Sequence, residues 1–135
     1  MVEFLTPAFG NETIRDLPAL GVGAQALNYL NFLIAEPIHA AAIYRSGILV
    51  QVPRPERYAI HKLIIADRRR DGAGSLKAAK DREQAAFLIE ALAEDRPDDL
   101  SRAIDAAMAV GPRWRERIGN SLMRMPETKT ILESL

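Results

Sequence analysis

The chain contains no cysteine, which excludes disulfides and thiolate metal sites. Its two histidines, His39 and His61, are isolated in the sequence and argue against a structural zinc site. Aromatic residues are scarce, at 6% of 135 residues, so a β-sandwich built on aromatic packing is disfavoured. No apolar run approaches the roughly 20 residues that a membrane span needs, and no basic-then-apolar leader opens the sequence. These absences predict a soluble, cytoplasmic protein that makes no membrane contact. Formal net charge is also absent, with 18 Lys and Arg balancing 18 Asp and Glu. No Ser–His–Asp arrangement, P-loop or dinucleotide-binding Gly pattern occurs, and there is no internal repeat or low-complexity segment.

The zero balance conceals segregation along the chain. Between Arg54 and Arg82, Arg and Lys occupy positions 54, 57, 62, 68, 69, 70, 77, 80 and 82, against Glu56, Asp67, Asp71 and Asp81. Residues 83–111 are acidic by about as much. A protein that coats nucleic acid uniformly would not be patterned this way, whereas a local anion site or a basic segment docked on an acidic one would.

Length allows one domain with one core, with 1–53 as a sheet-forming part and 54–135 as a helical part. The abundance of Ala and Leu favours helix. Val2–Leu5 reads as a short strand stopped by Thr6 and Pro7, and 8–23, with Gly10, Pro18, Gly21 and Gly23, as loop. Residues 24–35 fit both periods and lean to helix, through Leu27, Leu30, Leu33 and Ile34. Ile38–Tyr44 and Ile48–Val52 form a hairpin across Arg45, Ser46 and Gly47. Pro55 then opens a helix to about Arg70, whose apolar residues cover most of its circumference and mark it as central. Asp71–Gly74 reads as loop, and Ser75 as the cap of a helix to about Asp95. A helix from Pro97 ends at Gly111 and Pro112, and a last one carries Trp114, Ile118, Leu122 and Met125, with Arg113, Arg115, Arg117 and Arg124 outward. After Pro126 the tail frays. The fold class expected is α+β, a small sheet or hairpin at the N-terminal side followed by a bundle of about four helices.

Asp81 falls in the middle of the apolar stripe Ala78, Ala85, Leu88, Ile89, Leu92. A carboxylate there costs several kcal/mol to bury without a partner, and Lys62, flanked by Ala59, Ile65 and Ala66 on the central helix, is the obvious one. The pair is either a structural tie between two helices or part of a ligand site. Arg68, Arg69 and Arg70 suit a helix C-terminus and have a weaker claim to phosphate contact. His61, without acidic or thiol neighbours in sequence, reads as a packed or surface histidine. Asp81 and Glu83 diverge by about 200° on a helix and cannot chelate one metal together.

Three stretches carry a family resemblance: VEFLTP near the start, SGILVQVPRPERYAIHKL, and KAAKD followed by an acidic helical region. Together they resemble the C-terminal half of a bacterial family of nucleotidyltransferase-fold proteins. More distantly, they are similar to the nucleotidyltransferase-like toxins of abortive-infection systems. The resemblance extends to about Asp99 and implies a DNA polymerase β-like core joined to a helical region. It places Glu3 at the family's third carboxylate, as a catalytic and metal-side residue for Mg2+. It also places Lys62, Lys77, Lys80 and Asp81 toward a nucleotide, as substrate-binding residues, or in the wall that stabilises its site. The family's Gly-Ser turn and D-x-D pair are missing: Ser46 and Gly47 stand in the reverse order with no D-x-D after them.

The reading that follows is a catalytically incomplete nucleotidyltransferase-like subunit or fragment, inactive alone, that binds a nucleotide or nucleic-acid phosphate. A non-enzymatic interaction module, with Lys62 and Asp81 structural, is the alternative. Open strand edges predict a homodimer, or a complex with a separately encoded N-terminal half.

Overall fold

The structure is a computed structural model that describes residues 2–70 and 74–135. The chain divides between Pro53 and Arg54 into two compact units. The first holds the strands and the second the long helices, so the fold is α+β as expected.

In the first unit, β1 (Leu5–Pro7), β2 (Ile14–Leu17) and β3 (Val22–Leu27) form a three-stranded sheet in the order β1-β3-β2. β3 pairs in parallel with β1, Thr6 opposite Ala26, and antiparallel with β2, Arg15 opposite Ala24. Alternation explains β3: Ala24 and Ala26 are fully buried on one face, while Gly23 and Gln25 on the other are exposed and half-buried. Asn28 extends the pairing by side chain. Its amide Nδ2 donates to the Gly10 carbonyl at 2.8 Å, and its backbone N–H donates to Glu12 Oε1 at 2.8 Å.

The helix expected over 24–35 is therefore corrected to strand β3 followed by one turn, α1 (Leu30–Leu33). Tyr29, at φ 71°, breaks the continuity between them. The loop expected over 8–23 contains β2 and the start of β3, because the glycines there mark the ends of strands and not the absence of strands. β1 begins at Leu5 and runs through Thr6 and Pro7, so Val2–Leu5 is not the strand. β4 (Ile38–Ala42) and β5 (Ile48–Val52) form the expected hairpin, with Ile38 opposite Val52 and Ala42 opposite Ile48. Its connection is 43–47, two residues longer than expected, and it turns on Gly47 at φ 89°, where a side chain would be strained.

The second unit is organised on α2 (Pro55–Arg68), which packs against α3 (Ser75–Asp95), α4 (Pro97–Ala109) and α5 (Pro112–Leu122). Ile60, Leu63 and Ile64 of α2 are completely buried together with Ile89, Leu100 and Ile118 from its three neighbours. Pro55, Pro97, Pro112 and Pro126 each sit in the first turn of a helix, where the missing N–H costs no hydrogen bond. The 126–133 segment is not a frayed tail but helix α6 (Pro126–Glu133), packed on α3. Gly74, not Ser75, is the N-cap residue of α3, and no side chain caps that end. The rest of the expected 71–74 loop lies outside the described residues.

Candidate functional site

Among the described residues of the helical unit three carboxylates are buried, and their positions follow from helix geometry. Glu56, Ile60, Leu63 and Asp67 are spaced i, i+4, i+7, i+11 on α2, so the core-facing stripe begins and ends on an acid. Asp81 stands in the matching stripe of α3 with Ala78, Ala85, Ile89 and Leu92. None of the three can remain ionised in such a place without compensating charge.

Asp81 is compensated twice. Lys62 Nζ lies 2.7 Å from Oδ1, and Arg69 Nη1 donates to Oδ2 at 2.8 Å. Lys62 leaves 17% of its side chain exposed, the arrangement expected of a buried stem with a directed ammonium. Its Nζ also stands 5.2 Å from the centroid of the Tyr58 ring, one helical turn earlier. Burial pulls the Lys62 pKa down, but the hydrogen bond and charge of Asp81, with Tyr58, outweigh it and hold the value above the ordinary 10.5.

His61, adjacent on α2, behaves in the opposite way. Burial, reinforced by the Lys62 charge and opposed by that of Asp81, lowers its pKa to about 4. It is therefore neutral at pH 7, which suits a half-buried ring beside a cationic cluster.

Lys77 and Lys80 complete the set of basic residues expected here. Both lie in the first turns of α3 and both are exposed. Lys77 precedes Asp81 by four residues and shares its side of the helix. Among the described residues neither lysine makes a hydrogen bond or ion pair, so two free ammonium groups flank the Lys62–Asp81–Arg69 triad. Glu3, by contrast, lies before β1 and is exposed. Among the described residues no group of three or more His, Cys, Asp or Glu is placed to hold a metal ion. Glu3 belongs to no such group among the described residues.

The sequence reading missed two arrangements. Asp67 accepts from Arg117 Nη1 at 2.9 Å and from Arg70 Nη1 at 3.2 Å, joining α2 to α5. Arg117, expected on the outward side of its helix, is thus turned inward. Glu56 lies 3.7 Å from Arg54 and 3.9 Å from Arg96, while its Oε2 accepts no hydrogen bond among the described residues. Both acids were detectable by the reasoning that singled out Asp81, namely an acid on an apolar stripe.

A search of curated proteins and a search of solved structures each return no match. A family model described as nucleotidyltransferase matches residues 1–109. That span takes in the strands and α2 to α4, including the whole Asp81 cluster, and stops short of α5 and α6. It covers well over half of the chain, and the chain accordingly belongs to the nucleotidyltransferase family.

Proposed function

We propose that the chain is a catalytically incomplete nucleotidyltransferase-family protein that binds the phosphates of a nucleotide or nucleic acid on the α2–α3 face. The observation that carries the reading is the charge balance around Asp81. One buried carboxylate fixes Lys62 and Arg69, while Lys77 and Lys80 stand beside it without partners. A cluster with more cations than its own acid can neutralise is suited to an external polyanion. Asp81 in this reading is a positioning residue, and Lys77 and Lys80 are the groups that meet phosphate.

Transfer chemistry requires more than this chain supplies. Phosphoryl-group transfer is carried by metal ions that neutralise charge on the phosphates, and Glu3 alone does not assemble such a centre. Any Mg2+ would arrive with the nucleotide or be held by carboxylates from elsewhere. A second chain is the natural source. It would be either another copy or a separately encoded N-terminal half, docked on a first unit that exposes Phe4, Phe9, Ile14, Ile43 and Leu49.

A second reading has its own observation. Both Asp81 oxygens are already taken and the triad ties α2 to α3, so the pair is also fit to be purely structural in an interaction module. Titration with Mg·ATP and with a short single-stranded oligonucleotide, at low and moderate salt, separates the two. The Lys77→Ala/Lys80→Ala chain should bind at least about tenfold more weakly, with a shallower salt dependence. Equal affinity of the variant, or no binding by the wild type, selects the structural reading.

A further inference from the structure

The outward side of α3 carries a stripe that the core does not use. Leu76, Lys80, Glu83 and Phe87 follow i, i+4, i+7, i+11, the spacing of the buried stripe of α2, and so fall within about 60° of one another around the helix. All four are nevertheless exposed, Leu76 at 85% and Phe87 at 72%. Among the described residues neither Lys80 nor Glu83 makes a hydrogen bond or ion pair. Two large apolar side chains, one unpaired cation and one unpaired anion thus share a single solvent-facing strip.

The order of these residues says what can cover them. Leu76 and Phe87 are equidistant from the midpoint between Asp81 and Arg82, and so are Lys80 and Glu83. A second copy of α3 laid antiparallel about that midpoint sets Leu76 against the partner's Phe87 and Lys80 against the partner's Glu83. Each contact then occurs twice by symmetry. The four charges alternate in sign around the two-fold axis, which is attractive. Parallel pairing would instead bring Lys80 level with the partner's Lys80 and Glu83 level with the partner's Glu83, and like charges at one level repel. The strip is its own complement in the antiparallel direction.

We propose that this strip is a self-association surface, through which two copies of the chain pair by antiparallel α3 helices. Covering Leu76 and Phe87 drives the association, and the charge pairs set its direction. The strip is about 16 Å long on a helix about 10 Å wide, which is less than the roughly 1,200 Å² of a stable interface requires. The dimer is therefore weak, and salt weakens it further. Lys80 also belongs to the pair proposed to meet phosphate. The surface does not rest on that reading, and its tests contain no nucleotide.

The chain has no cysteine, so introduced cysteines report the pairing directly. Leu76→Cys and Phe87→Cys chains, one of them tagged so that products separate by size, are oxidised alone and as a mixture. The mixture should cross-link at least about tenfold faster than either variant alone, because equal positions lie about 16 Å apart along the axis of the pair, beyond the reach of a disulfide. Self-linking of either variant as fast as the mixture would overturn the antiparallel surface. In sedimentation equilibrium at low salt the wild type should dimerise below about 1 mM. Phe87→Ala and Lys80→Glu, both at exposed positions, should each weaken the dimer at least about tenfold. The exchange Lys80→Glu/Glu83→Lys should restore wild-type association. A wild type that is monomeric at about 1 mM, a Phe87→Ala chain that associates as tightly as the wild type, or an exchange that fails to restore what Lys80→Glu removes would refute the surface.

Discussion

The two units of this chain differ in the size of the apolar side chains that they bury completely. In the helical unit, large side chains are inside: Ile60, Leu63, Ile64, Ile89, Leu100 and Ile118 are all completely buried. In the strand-bearing unit only Ala24 and Ala26 are completely buried among the described residues; Tyr29, Leu30 and Phe32 are buried to 6–8% exposure, and Phe9, Ile14, Ile43 and Leu49 are exposed. Burying an Ile or Leu contributes about 1.5–3 kcal/mol, and an Ala far less. The first unit also has a hairpin whose two strands pair only with each other, and such hairpins are marginal alone. The helical unit thus carries the deeper core beneath its buried charges, and the strand-bearing unit the thinner one.

The largest effect should come from the helical unit's buried charges. Asp81→Ala removes the shared partner of Lys62 and Arg69 and should cost about 3–5 kcal/mol in urea unfolding. Ile14→Ser in the first unit, at a position already 73% exposed, should change stability by less than about 0.5 kcal/mol. A loss below about 1 kcal/mol for Asp81→Ala would erase the contrast.

Acid should weaken the same unit through His61. Its pKa is about 4 in the fold against an ordinary 6.5, so protonation favours the unfolded chain. The contribution is complete above pH 6.5, falls progressively between pH 6.5 and 4, and is gone below 4. The loss is at most of order 3 kcal/mol, by the standard conversion of a pKa shift into free energy. His61→Gln should show a correspondingly smaller fall in stability between pH 7 and pH 4 than the wild type. Identical pH profiles for the two would show that His61 is already solvated in the fold.

Smaller still is Ser121→Ala. Ser121 Oγ donates to the Leu63 carbonyl at 2.6 Å inside the α2–α5 contact, and its loss should cost about 1 kcal/mol in thermal unfolding. The smallest effect on stability, near zero, is expected for Ile43→Ser in the β4–β5 connection, where Ile43 is fully exposed. If a second chain covers that surface, the same substitution should still lower association in sedimentation or light scattering. A wild type that stays monomeric at micromolar concentration would remove the need for cover.

The same contrast decided what could be read from the sequence. The helical unit was legible because its signals are redundant: proline at each helix start, long apolar stripes, and an acid on a stripe that demanded a cation. Lys62–Asp81 followed from that logic. Asp67 was overlooked, although it extends the stripe of Ile60 and Leu63, because the bulk of α2's apolar residues hid which face was deepest. In the strand-bearing unit, β3 has only Ala24 and Ala26 as its buried set, too small to make alternation visible among Gly21, Gly23 and Gln25. The pull toward helix over 24–35 came from Leu30 and Leu33, which form only the single turn α1. For the site, Lys77 and Lys80 were reached through family resemblance, since an exposed lysine on a helix has no local signature.

The central claim is that the α2–α3 face holds phosphate without completing the chemistry of transfer. A single sample of purified full-length chain tests both halves at once, by calorimetric titration with Mg·ATP followed by an assay for nucleotide transfer to the protein itself or to RNA. The account predicts saturable binding that weakens at least about tenfold in Lys77→Ala/Lys80→Ala, with no transfer product in magnesium or manganese. Transfer by the wild type that disappears in Glu3→Ala would contradict it.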